Sequence, residues 1–254
     1  MMRLSTFGFE RVDRVHNATV MCGVGERSKL RFQRERVAYF DLFEFIQSGV
    51  DDLVLNRFVN DEATERAALA QFDAAIAADP DYAAAHAMRA RSLTTIANQY
   101  GKVGQLTGLY DAAIASAQRA IDLAPDLADA HSTLGFTLFQ GRLDARAAHA
   151  PFERSRELGA GEATVMARYS QYSARTGRKR AASEAMQRAL LLDPLNPLIH
   201  RAAGSVEYAA RNYAASLPPL RKALEMNPRM SRAHAAIGDA LLMLGRLEEA
   251  RSAY

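Results

Sequence analysis

A repeat of about 34 residues constrains the fold of this chain more than any other feature of its sequence. Four segments share one pattern, in which an Ala- and Leu-rich stretch is followed by a proline and then by a histidine; they are AAIAADPDYAAAH, RAIDLAPDLADAH, RALLLDPLNPLIH and KALEMNPRMSRAH. The distance from Pro194 to Pro228 is 34 residues, and so is the distance from His200 to His234. Self-similarity at such a period predicts a stack of small, equivalent structural units.

The prolines predict where helices end. Proline has no amide hydrogen and disfavours helix in the residue before it, so each one stops a helix. Asp81, Asp126 and the pair Asn196–Pro197 follow these stops and predict the N-caps of the next helices. This pattern predicts about six helix-turn-helix units: an irregular first unit with helices near 38–50 and 62–78, then units at 83–124, 128–158, 163–192 and 197–226, and a sixth that begins at Ser231 and is cut off at Tyr254.

The repeat resembles the tetratricopeptide (TPR) repeat, whose pattern contains Leu-Gly, Tyr, Ala, an aromatic residue and a closing proline. The matching positions in the last two units are Gly204, Tyr208, Ala223, Pro228, Ile237, Gly238, Leu241, Gly245, Ala250 and Tyr254. Histidine or methionine replaces the usual leading aromatic residue, and the third unit closes on Ala160–Gly161 in place of a proline. The resemblance implies an all-α, right-handed TPR-like α-solenoid over residues 37–254, preceded by an irregular or disordered segment at 1–36.

Small residues recur at one position of the repeat and predict where the two helices of a unit approach most closely. They are Ala90, Gly135, Ser170, Gly204 and Gly238. A large side chain at such a position overpacks the helix pair at a cost of roughly 1–3 kcal/mol.

The repeated histidines, His86, His131, His200 and His234, are interpreted as packing residues. Successive units of such a stack lie about 10 Å apart, whereas a metal needs His nitrogens at about 2.0–2.1 Å. We therefore expect no metal and no cofactor, and we expect one nitrogen of each ring to be hydrogen-bonded.

The second unit is longer than the others, since Pro80 and Pro125 are 45 residues apart. The additional residues lie within ANQYGKVGQLTGLY, where Val103 stands in place of the Ser or Thr that a phosphate-binding loop requires after its lysine. We expect a longer helical hairpin. If the insertion has a function, it lies on the binding face, with Gln99, Tyr100 and Lys102 as candidates.

Other motifs indicate no enzyme and no nucleic-acid site. The basic cluster of Arg175, Arg178, Lys179, Arg180 and Arg188 falls mainly in a turn with no aromatic residue interleaved, and the net charge is only +3, so nucleic acid is not expected as a partner. Pro151, Pro218 and Pro219 are expected to kink the second helices of their units. No catalytic arrangement of Ser, Cys, His and Asp is recognisable.

Binding is expected on the concave face, because the curvature of a solenoid creates an extended inner surface. The predicted groove residues are Arg91, Phe136, Arg168, Gln171, Arg175, Arg201, Tyr208, Arg232 and Asp239. Arginines near aromatic residues favour a protein or peptide partner, especially one with a carboxylate, and Arg201 with Arg232 is a candidate two-pronged anion site. Ser205 stands where the chaperone-binding members of the family have an asparagine, so recognition of a chaperone tail is not expected.

The two ends of the chain bear on its location and its assembly. Cys22 is the only cysteine, the N-terminus does not resemble a signal peptide, and no apolar run is long enough to cross a bilayer, which favours a cytoplasmic protein without a membrane segment. Tyr254 lies inside the second helix of the sixth unit, so that helix lacks a polar cap. This predicts either a longer chain or self-association through the C-terminal end.

A narrower resemblance rests on VAYFDLFEFIQSG and FDAAIAADPDYAAAHA, at 37–49 and 72–87. These segments are similar to the first TPR units of bacterial signalling proteins that carry a winged-helix or nucleotide-cyclase domain upstream. Three hypotheses follow: a free-standing interaction scaffold, the regulatory portion of a transcription regulator, or the regulatory portion of a cyclase.

Overall fold

The structure, a computed structural model, describes residues 62–254, which form eleven α-helices and contain no β-strand. The helices are α1 (Glu62–Ala78), α2 (Ala83–Gln99), α3 (Leu106–Leu123), α4 (Ala128–Gly141), α5 (His149–Leu158), α6 (Ala163–Arg175), α7 (Lys179–Leu192), α8 (Pro197–Ala209), α9 (Tyr213–Met226), α10 (Ser231–Met243) and α11 (Leu247–Ala253). The all-α prediction is confirmed. The expected helix near 38–50 and the segment 1–36 lie outside the described residues.

The helices pack as hairpins, each pair corresponding to one sequence repeat: α2 with α3, α4 with α5, α6 with α7, α8 with α9, and α10 with α11. The first helices of neighbouring hairpins also touch, so that α2, α4, α6, α8 and α10 form a continuous layer. This serial packing is the predicted solenoid. The second unit is the expected longer hairpin, with helices of 17 and 18 residues, where α4, α6 and α8 have 13 or 14.

The small residues lie where the two helices of a hairpin meet, as predicted. A Cβ atom on Gly135 would lie 3.0 Å from the Phe152 ring, and one on Gly204 would lie 2.7 Å from Leu220 Cδ2. At the equivalent place in α6, the Ser170 hydroxyl donates a hydrogen bond of 2.6 Å to a backbone carbonyl of α7. The sequence pattern therefore marks the lines of closest helix approach.

Each repeated histidine fastens the start of its helix to the turn before it. The Nε2 atoms of His86, His131, His200 and His234 lie 2.9, 2.8, 2.7 and 3.0 Å from the carbonyl oxygen of the proline six residues earlier. Because a carbonyl accepts, the Nε2–H group is the donor, and it bonds to a carbonyl of the turn between the two helices. The expected hydrogen bond of the histidines is confirmed.

We expect His200→Ala to lower the free energy of unfolding by about 1 kcal/mol, because the Pro194 carbonyl loses its donor. Thermal unfolding measures the change, which corresponds to roughly 2–4 °C for a chain of this size. Gln187→Ala, on the exposed face of α7, is the control. Equal melting temperatures for His200→Ala and the wild type would show that the hydrogen bond contributes nothing.

Two of the three predicted N-caps are wrong. Asn196 does cap α8, accepting a hydrogen bond of 3.0 Å from the Leu198 amide. At the start of α2 and α4 the cap residues are Tyr82 and Leu127, which provide no side-chain hydrogen bond. Asp81 and Asp126 instead form 2.6 Å ion pairs with Arg119 and Arg154 of the second helices of units two and three.

The prolines of the second helices differ in whether they interrupt the hydrogen bonds of the helix. Pro151 is the third residue of α5, where the amide has no helical partner in any case, so the prediction of an interior proline is wrong there. Pro218 and Pro219 do lie inside α9. The carbonyls that they leave without partners belong to Ala214 and Ala215, both exposed, so water can reach them.

Between residues 62 and 254, no helix combines the length and the apolar character that a bilayer crossing requires.

Candidate functional site

The layer of first helices contains a groove of about 1030 Å³, a volume that includes the space open to solvent. Side chains from α1, α2, α4, α6, α8 and α10 line it, so it spans the described part of the stack. Six of the nine predicted groove residues are among the lining: Arg91, Phe136, Arg168, Gln171, Arg201 and Arg232.

The other three predicted residues do not line the groove. Arg175 lies over the ring of Phe139, 6.0 Å from its centroid. Tyr208 packs against Tyr213 with ring centroids 5.2 Å apart. Asp239 accepts a hydrogen bond of 2.6 Å from the hydroxyl of Tyr254. Tyr208 and Asp239 therefore contribute to packing between helices.

Polar side chains that the sequence interpretation missed complete the lining. Thr95, Asn98, Thr164 and Asn196 carry hydroxyl or amide groups, and the buried Glu65 of α1 carries a carboxylate. Thr95 and Asn98 follow Arg91 by four and seven residues, so they share its helix face. That spacing could have identified them.

The inserted residues extend one wall of the groove. Asn98 and Gln99 lie in the additional turn of α2, and both line the groove, so one of the three candidates from the insertion is placed there. Tyr100 and Lys102 are not part of the lining.

Asn98 connects this wall to other parts of the stack. Its Oδ1 accepts a hydrogen bond of 2.9 Å from the Tyr110 hydroxyl of α3. Its backbone carbonyl accepts a hydrogen bond from the Arg232 guanidinium of α10, which reaches across the groove. The elongated second unit therefore meets the sixth unit at the groove.

The positive charge of Arg168 is balanced by neighbouring side chains. Its Nη1 donates a hydrogen bond of 2.9 Å to Thr133 and lies 3.6 Å from an Asp129 oxygen, and its guanidinium lies 5.2 Å from the centroid of the Phe136 ring. Burial lowers the pKa of Arg168 to about 10, with Asp129 acting in the opposite direction and Arg91 adding to the decrease. Arg168 thus helps to build the groove wall.

Arg201 lacks such compensation. Its guanidinium makes no hydrogen bond and no ion pair with any other residue between 62 and 254. The nearby Ser205 hydroxyl bonds to the backbone carbonyl of Arg201 and not to its guanidinium. Burial, together with the nearby positive charges of Arg232 and Arg175, lowers the pKa of Arg201 to about 10. Because arginine stays protonated at neutral pH, this side of the groove holds several positive charges together.

The basic cluster identified in the sequence does not form one patch. Arg178 lies 4.7 Å from the centroid of the Tyr172 ring and forms a 2.7 Å ion pair with Glu153, so the expectation of a solvated turn without aromatic neighbours is wrong for this residue. Arg180 pairs with Glu184 at 2.7 Å. Arg178 therefore belongs to a packed network, whereas Arg180 forms an exposed ion pair.

Within residues 62–254, no group of three or more His, Cys, Asp or Glu side chains is arranged to hold a metal ion. The four repeated histidines each bond to their own proline carbonyl, one per hairpin.

A row of helical hairpins that pack in series defines a helical-repeat solenoid. Two family models, both described as tetratricopeptide repeat, match the chain: one matches residues 171–221 and 201–254, and the other matches residues 95–127. The chain therefore contains tetratricopeptide repeats in these parts.

Solved structures similar to this chain support the fold. They include PilW, a type IV pilus biogenesis factor, at 16% identity, a TM-score of 0.57 and coverage of 84% of this chain and 90% of PilW. TTC0263, a TPR protein from Thermus thermophilus, is 19% identical with a TM-score of 0.59 over 79% of this chain and 99% of TTC0263. The human IFIT1 dimer with m7Gppp-AAAA is 17% identical with a TM-score of 0.64, over 75% of this chain and 45% of IFIT1. No curated protein matches the chain in sequence.

Proposed function

We propose that this chain is a non-enzymatic scaffold that binds a protein or peptide partner in its concave groove. The tetratricopeptide fold is that of an interaction scaffold, and its inner surface is extended along the stack. The observation that carries the proposal is the groove itself, which is lined by side chains, most of them polar, from six helices of the described stack.

The chemistry of the lining suits a peptide backbone. Asn98, Gln99 and Gln171 carry amides that both donate and accept hydrogen bonds, and Thr95 and Thr164 add hydroxyl groups with the same capacity. An extended peptide presents alternating N–H and C=O groups, and each of them needs a partner once it leaves water. A groove of amides and hydroxyls provides those partners without selecting a side chain.

Selection from a random library of 12-residue peptides tests the proposal. We expect binders whose affinity falls at least tenfold, about 1.4 kcal/mol, in the groove variant Thr95→Ala/Gln171→Ala. Gln187→Ala, which lies on the exposed face of α7, is the control and leaves the affinity unchanged. Binders that tolerate the groove variant would place the interaction elsewhere on the molecule.

The remaining predictions concern features of the chain outside the groove. Leu242, Met243 and Leu247 are exposed near the end of the stack, and self-association there stays a prediction, as does a cytoplasmic location. That the chain is the regulatory portion of a bacterial transcription regulator or cyclase also stays a prediction. The reading frame on either side of residues 1–254 is its test.

A further inference from the structure

The geometry points to a clasp that closes the groove between its two ends, formed by the hydrogen bond from the Arg232 guanidinium of α10 to the Asn98 carbonyl of α2. A partner segment without a free end enters the groove only when this clasp opens. The inference rests on the proposed function, because it concerns entry to the same groove.

The first support is the order of the helices around the groove. Neighbouring first helices touch from α2 through α4, α6 and α8 to α10. Arg232 then donates from α10 back to the Asn98 carbonyl near the end of α2, and both residues line the groove. The first helices therefore form a closed circuit. Packed helix pairs make its other junctions, whereas the Arg232 side chain makes the closing one.

The second support is that the insertion builds the receiving end of the clasp. Helix α2 has 17 residues, whereas α4, α6 and α8 have 13 or 14, so α2 extends about 5 Å further at 1.5 Å per residue. Asn98 lies in this additional turn. Its carbonyl is among the last four of the helix, which lack an amide donor within the helix and carry a partial negative charge. A cation that reaches across the groove satisfies both needs.

The third support is that the receiving turn is held in place from α3. The hydroxyl of the buried Tyr110 donates a hydrogen bond of 2.9 Å to Asn98 Oδ1. The Tyr110 ring packs so closely on α4 that a Cβ atom on Gly141 would lie 2.5 Å from it. Burial raises the pKa of Tyr110, and the charge of Arg232 acts in the opposite direction, which shows that the guanidinium lies near this anchor.

The clasp is weak enough to open. Arg232 remains exposed, so water competes for the hydrogen bond. Desolvation lowers the pKa of Arg232, and the positive charges of Arg232 and Arg201 act on each other across the groove wall. Desolvation and repulsion both oppose the closed arrangement. A junction made by a side chain under these conditions opens more readily than the packed helix pairs of the rest of the circuit.

A closed circuit affects how a partner enters. A peptide with a free end can pass along the axis of the groove, whereas a segment inside a longer chain has to pass between α2 and α10. In the second case only the open molecules bind, so the apparent affinity falls with the open fraction and association is slowed. The clasp thereby discriminates between free peptide ends and internal segments.

Spin labels test the clasp without any ligand. The labels are attached at Gly104→Cys, in the connection between α2 and α3, and at Leu247→Cys, at the start of α11, in a Cys22→Ser background; both sites are exposed. We expect Arg232→Ala to shift the label distance to a longer and broader distribution. Arg229→Ala, which removes an exposed charge just before α10, should leave it unchanged. The same distribution with and without Arg232 would overturn the clasp.

Binding rates test the effect on entry. A groove-dependent peptide from the random library is measured as a free peptide and as a segment between two folded carrier proteins, which removes its free ends. We expect the wild type to bind the enclosed segment at least about tenfold more slowly than the free peptide. Arg232→Ala should reduce this ratio to about twofold, because the open state no longer has to form first. Arg229→Ala should keep the full ratio.

The outcomes distinguish this inference from the function on which it rests. A longer label distance in Arg232→Ala with an unchanged ratio of rates would show that the contact does not control entry, and would overturn the gate. Faster dissociation of the free peptide from Arg232→Ala at unchanged label distances would make Arg232 a binding residue and not a clasp. An absence of any groove-dependent peptide would overturn the proposed function and the gate together, whereas the label distances alone decide whether the clasp exists.

Discussion

Gly204→Leu is expected to lower the free energy of unfolding by about 3 kcal/mol, at the upper end of the usual cost of overpacking. In the wild type, a Cβ atom at this position would already lie 2.7 Å from Leu220 Cδ2 and 3.0 Å from the backbone carbonyl oxygen of Ser216. Leu220 is fully buried, and the carbonyl belongs to the neighbouring helix, so neither can move without separating α8 from α9. The loss corresponds to a fall of roughly 6–12 °C in melting temperature.

Two glycines of the same chain serve as controls in the thermal unfolding experiment. Gly108→Leu should change the melting temperature little, since a Cβ atom there meets nothing within 4 Å. Gly238→Leu should have an intermediate effect, because the Tyr254 ring that it would contact is 66% exposed and can turn aside. Equal melting temperatures for Gly204→Leu and Gly108→Leu would contradict the close packing of α8 on α9.

The helix pairs could be predicted from the sequence because their determinants are local. A proline such as Pro194 or Pro228 ends a helix through its own ring and its missing N–H, whatever the rest of the chain does. The small residues at 204 and 238 mark the contact within a hairpin, whose two helices are only a few residues apart in sequence. The predicted units at 128–158, 163–192 and 197–226 accordingly agree with the helices of the structure.

Contacts between residues that are distant in sequence explain two features that the sequence did not predict. Asp81 has the chemistry of an N-cap, but Arg119 lies 38 residues away in sequence and pairs with its carboxylate. Arg178 lies in a turn with the composition of a solvated loop, yet Tyr172 and Glu153 of the folded chain surround it. In both cases the charged partner is distant in sequence: Arg119 is 38 residues from Asp81, and Glu153 is 25 residues from Arg178.

The groove also brings together residues from distant parts of the described stack. Arg232 donates to the carbonyl of Asn98, 134 residues away, and this contact requires the accumulated rotation of several hairpins. Each rotation is small and follows from side-chain packing at a single interface. The sequence could therefore indicate which helix faces are concave, but not that the sixth unit reaches the inserted turn of the second.

Phe152→Ala is expected to lower the free energy of unfolding by about 3–5 kcal/mol, the usual range for removing a buried phenylalanine. Phe152 is fully buried in the third unit, and its ring stacks on that of Tyr172 in the next unit at 4.5 Å with an angle of 18°. The change therefore removes packing within one hairpin and between two hairpins. Chemical denaturation measures the loss, and Phe152→Leu should retain part of the stability because it leaves a smaller cavity.

A double variant tests whether Phe152 stabilises the chain by packing against Gly135. Gly135→Ala alone should destabilise the chain, because its Cβ atom would lie 3.0 Å from the Phe152 ring. In the Phe152→Ala background that ring is gone, so the same methyl group should be neutral or should stabilise by partly filling the cavity. Such a reversal of sign is a coupling between two touching residues. Equal and additive losses would show that Phe152 and Gly135 do not share this contact, and the pairing of α4 with α5 would have to be revised.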